Sequence, residues 1–192
     1  MKLDSRDDLP DLLKHLKLNG RGAEIGVGDG KFSQQLVTKG GFSEFYSIDD
    51  WSPVTTDTFD INGENYINEF SERCYQWSRE KLEPLGVNII REKSCEAAKR
   101  FPDDFFDFIY IDADHREEAV VADIEAWYPK LRKGGMLAGH DYMDARMEWK
   151  DGIYSLFGVK TAVDDFAEKN GLNLMIIEEK GTPWHSWAVI KK

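Results

Sequence analysis

The stretch GAEIGVGDGKF, residues 22–32, places three glycines at alternate positions directly after a short apolar run. Glycine accepts the positive φ angles of a tight turn and lets the backbone approach a ligand closely. Gly26, Gly28 and Gly30 therefore predict a turn that joins a β-strand to a helix beginning at Lys31. Such a turn presents backbone N–H groups, so it predicts a ligand site at the C-terminal end of the strand.

Apolar runs and helical patterns alternate along the rest of the chain, which predicts an α/β fold with a mostly parallel sheet and helices on both faces. The strand-like runs are 23–27, 44–49, 87–90, 106–113, 135–141, 173–179 and 186–192. No helical pattern separates the last two runs, so we expect a C-terminal hairpin that places an antiparallel strand at one edge of the sheet. The 192 residues are expected to form one domain, residues 1–192.

The amino-acid composition indicates what kind of partner and which cell compartment to expect. The net charge of −11 disfavours nucleic acid and anionic membranes, so we expect a small-molecule partner. No apolar run approaches the ~20 residues of a membrane span, and the N-terminus lacks a signal-peptide core, which predicts a cytoplasmic protein. The spacing of Cys74 and Cys95 supports neither a disulfide framework nor a thiolate zinc site.

Two segments depart from the alternation of strands and helices. Residues 52–84 form an insertion that we expect to act as a lid or an interface, and residues 142–158 form a long loop. Within the insertion, Tyr66, Phe70, Cys74 and Trp77 recur at helical spacing, which favours packing against the sheet over stacking on a ligand. In the last connection, Trp184, His185 and Trp187 either border a substrate or close the hairpin.

The spacing of the glycines separates two classes of cofactor. A dinucleotide fingerprint, G-x-G-x-x-G, requires a third glycine at position 31, which is Lys31. Asp49 ends the second strand about 20 residues after the turn, where a carboxylate can accept both hydroxyls of a ribose. Together these features indicate a cofactor that contains adenosine. Trp51 either flanks the adenine or belongs to the core.

Three stretches resemble the class I S-adenosylmethionine-dependent methyltransferases: EIGVGDGKFS (24–33), YSIDDW (46–51) and the segment from Asp107 to Tyr142. The last is similar to a bacterial subgroup related to small-molecule and macrolide-sugar O-methyltransferases. The resemblance spans roughly residues 20–192 and implies a Rossmann-like, seven-stranded sheet whose last strand is antiparallel. It implies S-adenosyl-L-methionine as the cofactor. The residues implied to bind it are Glu24, Gly26, Gly28, Gly30, Asp49, Asp50, Trp51, Ser94, Cys95 and Asp112. The resemblance implies that Glu24, Gly26 and Gly28 line the methionine end, that Asp49 binds the ribose, and that Ser94 and Cys95 contact the adenine.

Polar clusters follow the fourth and fifth strands. DADH contains Asp112, Asp114 and His115, and GHDY contains His140 and Asp141. Because neighbouring parallel strands end at the same edge, we expect the two clusters to face each other beside the reactive methyl group.

Their residue types suit removal of a proton from an acceptor hydroxyl, with His115, His140 and Asp112 as the predicted catalytic residues. Asp112, His140 and Asp141 are also a predicted ligand set for a divalent metal, Mg²⁺ or Mn²⁺. Related O-methyltransferases carry an acidic pair where this chain has His140 and Asp141. The competing structural roles are helix capping for the aspartates and ordinary hydrogen bonding for the histidines.

The resulting hypothesis is a methyltransferase that methylates a hydroxyl of a small metabolite or sugar, and a homodimer is compatible with it. Two alternatives stay open from the sequence. One is a dinucleotide-dependent oxidoreductase, and the other is a binding or scaffold domain that holds a cofactor without turnover.

Overall fold

The computed structural model describes residues 3–52, 64–148 and 154–192. The helices are α1 Leu9–Leu16, α2 Lys31–Gly40, α3 Glu64–Leu82, α4 Ser94–Ala98, α5 Glu117–Trp127 and α6 Val159–Lys169. The strands are β1 Arg21–Ile25, β2 Glu44–Asp49, β3 Asn88–Arg91, β4 Phe106–Ile111, β5 Leu131–Gly139, β6 Asp144–Glu148, β7 Tyr154–Gly158, β8 Met175–Ile177 and β9 Ser186–Ile190. No helix among these residues is long and apolar enough to span a membrane.

Seven of these strands form one sheet in the order β3-β2-β1-β4-β5-β9-β8. Strands β1 to β5 are parallel, and β9 is antiparallel to both of its neighbours. The predicted seven-stranded, mostly parallel sheet with a Rossmann-like arrangement is thereby confirmed.

The placement of the antiparallel strand at an edge is wrong, because β9 lies between β5 and β8. Four of the five residues of β9 are buried, whereas β8 has only three residues and begins with the exposed Met175. The longer apolar strand therefore occupies the interior position and the short one the edge.

Helices cover both faces of the sheet. On one face, Ile109 and Ile111 of β4 share a buried cluster with Ile124 and Trp127 of α5. On the other face, the side chains of alternate residues of β4, such as Phe108, pack with α1 and α2. The two clusters follow from the alternation of side chains along a strand that is buried on both faces.

The insertion at 52–84 contains α3, as its helical spacing predicts. Cys74 is buried, but Phe70 and Trp77 are 46% and 39% exposed, so the expected packing of this stripe against the sheet is only partly correct. The side chain of Tyr66 and the backbone of residues 53–63 lie outside the described residues. A lid or interface role for the insertion stays a prediction.

The connection at 142–158 was expected to be a loop, but β6 and β7 pair there as an antiparallel ribbon separate from the main sheet. At the centre of the main sheet, Ile25 pairs with Ile111, and Ile111 with Gly139. The segments after β1, β4 and β5 therefore leave the sheet side by side.

Candidate functional site

The glycine turn after β1 adopts the left-handed backbone that its sequence predicts, with φ of +82° at Gly26, +55° at Gly28 and +80° at Gly30. A Cβ atom at Gly26 would lie 2.2 Å from the carbonyl oxygen of Asp112, and one at Gly30 would lie 2.9 Å from the Cα of Ser78. No atom of the described residues lies within 4 Å of the corresponding position at Gly28. Gly26 and Gly30 are therefore required by the fold itself, and Gly28 borders open space.

Asp49, at the end of β2, holds the turn through its carboxylate. Oδ2 accepts hydrogen bonds from the N–H groups of Val27 at 2.8 Å and Gly28 at 3.0 Å, and Oδ1 accepts one from the N–H of Trp51 at 2.7 Å. Burial raises the pKa of Asp49, and the backbone donors partly oppose that shift. Each carboxylate oxygen accepts about two hydrogen bonds, so Oδ1 retains one site for a further donor such as a ribose hydroxyl.

Trp51 is buried, as a core role predicts, and a contact with the adenine of a cofactor stays a prediction. It is 4% exposed, and its ring lies 4.8 Å from that of Tyr75 of α3. Its Nε1 donates to the carbonyl oxygen of Gly28 at 2.8 Å, and Ser78 Oγ donates to the same oxygen at 2.8 Å. Asp50 accepts a local hydrogen bond from the N–H of Ser52 at 2.8 Å.

Glu24 lies beneath the turn and is 1% exposed. Its carboxylate accepts a short hydrogen bond from Ser33 Oγ, which itself lies 2.6 Å from Ser47 Oγ. Burial raises the pKa of Glu24 to about 8, although the Ser33 hydroxyl lowers it. The carboxyl group is therefore largely protonated at neutral pH, and a contact with the methionine end of a cofactor stays a prediction.

Ser94 and Cys95 begin α4, directly after the segment that follows β3. Ser94 Oγ donates to the carboxylate of Asp123 and accepts from Trp127 Nε1 at 2.9 Å. Cys95 Sγ lies 3.8 Å from the same carboxylate. Burial raises the pKa of Asp123 to about 6. Asp123 thus fixes the start of α4, where the family resemblance implies contact with adenine.

Sequence reasoning missed Asp123. Its position could have indicated it, because Asp123 lies on the same face of α5 as the apolar residues Val120, Ile124 and Trp127, and that face is buried. A carboxylate at a core position of a helix requires partners, and these come from α4.

The two polar clusters after β4 and β5 face each other, as predicted. His115 Nε2 lies 2.8 Å from Asp141 Oδ2 and 3.5 Å from Asp112 Oδ1. His140 Nδ1 lies 2.9 Å from Asp141 Oδ1 and 4.0 Å from Asp112 Oδ2. Asp114 does not join the cluster, because its carboxylate pairs with Arg116.

Within the cluster, the pKa of His115 is raised and that of Asp141 is lowered. Burial disfavours the charged form of His115, but the hydrogen bonds and charges of Asp112 and Asp141 outweigh it and raise its pKa to about 9. Burial likewise opposes ionisation of Asp141, yet the two histidines hold its pKa well below the usual range. In the absence of other ligands, His115 is therefore a cation at neutral pH.

The predicted metal ligands, Asp112, His140 and Asp141, stay a prediction, and the structure offers a related set of three. One ligand atom each from Asp112, His115 and Asp141 lie within 4.8 Å of one another. His140 is not one of these three, although its Nδ1 lies 2.9 Å from Asp141 Oδ1, and its Nε2 lies 3.6 Å from Glu179 Oε1. Two carboxylates and one imidazole are a donor set that divalent Mg²⁺ or Mn²⁺ can use, so the residues fit such an ion.

Two further groups reach the cluster without a signal in the sequence motifs. From a short turn before α1, Arg6 Nη1 donates to Asp112 Oδ2 at 2.9 Å. Phe157 of β7 stacks on His115, with ring centroids 5.1 Å apart, and Trp184 lies 5.4 Å from Phe157. Trp187 is buried in the core, and a contact of Trp184 or His185 with a substrate stays a prediction.

Comparison with known proteins places this geometry in context. A family described as "Methyltransferase domain" matches residues 23–142. No curated protein sequence matches the chain significantly.

Similar solved structures include cofactor-bound Rv0187 from MTB, with 18% identity, a TM-score of 0.69, and coverage of 97% of this chain and 80% of that one. A candidate caffeoyl-CoA O-methyltransferase from Staphylococcus aureus has 16% identity, a TM-score of 0.64, and coverage of 96% and 81%. A candidate rRNA methylase from Clostridium thermocellum has 13% identity, a TM-score of 0.65, and coverage of 100% of both chains.

At these identities the structural neighbours establish the fold and leave the acceptor open. The family match covers more than half of the chain and includes the glycine turn and both polar clusters. The chain therefore belongs to the methyltransferase-domain family.

Proposed function

We propose that this protein transfers the methyl group of S-adenosylmethionine to a hydroxyl oxygen of a small, ring-containing metabolite. The observation that carries the proposal is the meeting of Asp112, His115 and Asp141 beside the glycine turn. Family membership implies S-adenosylmethionine, and the class of acceptor is our inference from the residues around the cluster.

The residues at the turn fit this cofactor. Gly28 borders open space, and Asp49 keeps one acceptor site at the end of β2 for a ribose hydroxyl. Ser94 and Cys95 begin α4 just after β3, and a hydrogen bond from Ser94 to Asp123 of α5 holds this helix start in place. When bound, S-adenosylmethionine supplies a methyl group that is already activated by its sulfonium. The protein then needs mainly to align the acceptor oxygen and remove its proton.

In the reaction, an oxygen–methyl bond forms, the sulfur–methyl bond breaks, and the hydroxyl proton passes to the protein or to solvent. His115 can accept that proton only in its neutral form, which its raised pKa of about 9 leaves as a small fraction at neutral pH, and Asp112 and Asp141 orient its ring. If a divalent cation is bound, Asp112, His115 and Asp141 would hold it, and it would lower the pKa of the acceptor hydroxyl.

Two aromatic side chains support a ring as the acceptor. Phe157 stacks on His115, and Trp184 packs against Phe157, so an apolar wall borders the proton-accepting group. Aromatic rings bind the faces of planar rings and of sugars. The net charge of −11 favours such a metabolite over RNA, despite the rRNA methylase among the structural neighbours.

The oxidoreductase alternative is not favoured, because Lys31 breaks the dinucleotide spacing and the family is one of methyltransferases. A binding domain without turnover predicts cofactor binding and no methylated product.

The test is a mass-spectrometric screen of hydroxylated aromatic and sugar compounds with S-adenosylmethionine, using wild-type protein, His115→Gln and the control His15→Gln. His15 lies on the exposed side of α1. We expect a methyl-sized mass gain with wild type and His15→Gln, and a loss of about 10²–10⁴-fold in rate with His115→Gln.

A parallel arm adds EDTA and then restores Mg²⁺ or Mn²⁺. Inhibition by EDTA and recovery with metal would assign a metal to the cluster, and indifference to EDTA would assign proton removal to His115. Full activity of His115→Gln, or cofactor binding with no product from any compound, would contradict the proposal.

A further inference from the structure

Arg6 lies between the glycine turn and the polar clusters, although it precedes every motif in the sequence. Its guanidinium stacks over the ring of Phe32, in the first turn of α2, with 4.7 Å from Cζ to the ring centroid. Its Nη1 donates to Asp112 Oδ2 at 2.9 Å. The ion pair of Arg6 and Asp112 therefore spans the space between the start of α2 and the end of β4.

The backbone around Arg6 is held in place by several contacts. The turn Arg6–Asp8 has a capping box formed by Ser5 and Asp8. The N–H of Arg6 donates to Glu179 Oε1 at 3.3 Å, and Gln35 Nε2 of α2 donates to Asp7 Oδ1 at 2.9 Å. Such contacts to α2 and to the segment after β8 position the guanidinium before any ligand binds.

The Arg6–Asp112 pair is adjacent to the glycine turn. The N–H of Asp112 donates to the carbonyl oxygen of Ile25 at 2.8 Å, and a Cβ atom on Gly26 would meet the carbonyl oxygen of Asp112. A ligand that lies over the turn therefore has a cation and an anion at one end of its site. Arginine binds carboxylates through a planar set of donors, and aspartate binds ammonium groups through its oxygens.

We propose that Arg6 binds the α-carboxylate of the cofactor's amino-acid portion, while Asp112 binds its α-ammonium group. This inference rests on the proposed function and assigns a cofactor contact to a residue outside the segment, 23–142, that matches the family. A zwitterion is complementary to a preformed ion pair, because each charge of the ligand replaces one partner of the pair. The exchange leaves no buried charge without a counter-charge.

The test is calorimetric titration with three ligands that differ only in this portion. S-adenosylhomocysteine carries both charges, its decarboxylated analogue carries only the ammonium group, and 5′-methylthioadenosine carries neither. The proteins are wild type, Arg6→Gln, and the control Arg21→Gln, whose side chain lies at the opposite end of β1 beside Glu44 and Phe105. EDTA is present throughout, so that no metal engages Asp112.

We expect Arg6→Gln to bind S-adenosylhomocysteine about 10- to 100-fold more weakly than wild type, since a charged hydrogen-bonding pair is lost. The same variant should bind 5′-methylthioadenosine as wild type does, which also shows that the site is folded. It should bind the decarboxylated analogue no more weakly than wild type, because Arg6 no longer competes with the ammonium group for Asp112. Arg21→Gln should match wild type for all three ligands.

Equal affinity of wild type and Arg6→Gln for S-adenosylhomocysteine would overturn the inference, as would an equal loss for all three ligands. Those results differ from failure of the proposed function, in which wild-type protein binds none of the three.

Discussion

Gly28 offers a direct test of the idea that the glycine turn is a cofactor site, because its substitution separates backbone strain from contact with a ligand. Gly28 has a φ of +55°, and no described atom lies within 4 Å of a Cβ placed there. Gly86 is a matched control, because it has a φ of +73° at the end of the turn after α3 and equally free surroundings.

The cost to folding should be similar in Gly28→Ala and Gly86→Ala. A left-handed backbone costs an L-residue about 1–2 kcal/mol, and neither methyl group meets described atoms. For a domain of this size, each kcal/mol lowers the melting temperature by about 2–4 °C. Both variants should therefore remain folded and melt a few degrees below wild type.

Binding should differ between the two variants. A methyl group at Gly28 occupies the space into which the cofactor is proposed to fit, and overpacking of a close contact costs about 1–3 kcal/mol. The dissociation constant for S-adenosylhomocysteine should rise by about 5- to 150-fold in Gly28→Ala and stay at the wild-type value in Gly86→Ala. The measurements are isothermal titration and thermal unfolding of the three proteins. If Gly28→Ala binds as tightly as Gly86→Ala, the turn serves only the fold and our interpretation of it is refuted.

Two further substitutions test other parts of the site. Asp49→Ala leaves three backbone N–H groups without their acceptor, so it should weaken binding of S-adenosylhomocysteine by about 1–3 kcal/mol. The control Asp50→Ala should have a smaller effect, because the carboxylate of Asp50 accepts a local hydrogen bond from Ser52. Equal affinities of the two variants by titration would remove Asp49 from the site. Burial raises the pKa of Asp123 from 3.8 to about 6, so the folded state favours the protonated carboxyl group. The stability that this protonated group contributes is fully present below pH 4 and is lost as the pH rises through 6. Asp123→Asn should therefore gain up to about 3 kcal/mol over wild type between pH 4 and pH 7 in chemical unfolding, and a constant difference across that range would contradict the shift.

Local sequence patterns were enough to specify the strands of the main sheet and the position of the glycine turn, but not the ribbon of β6 and β7. Gly26, Gly28 and Gly30 permit the left-handed backbone that the turn adopts, and this preference acts over a few residues. Aspartate and histidine after β4 and β5 were expected to meet because parallel strands end at one edge, and the distances between His115 and Asp141 confirm it.

The tertiary structure decided the order of the last strands and the partners of individual side chains. Whether β8 or β9 lies inside the sheet depends on competition for burial between two distant segments, which periodicity along the chain does not record. In the same way, the direction of a side chain after a strand end depends on what packs around it. His115 therefore meets both Asp112 and Asp141, whereas His140 lies between Asp141 and Glu179. Arg6 and Asp123 join the site through pairings across long stretches of chain, and such pairings form only when the whole sheet brings those segments together.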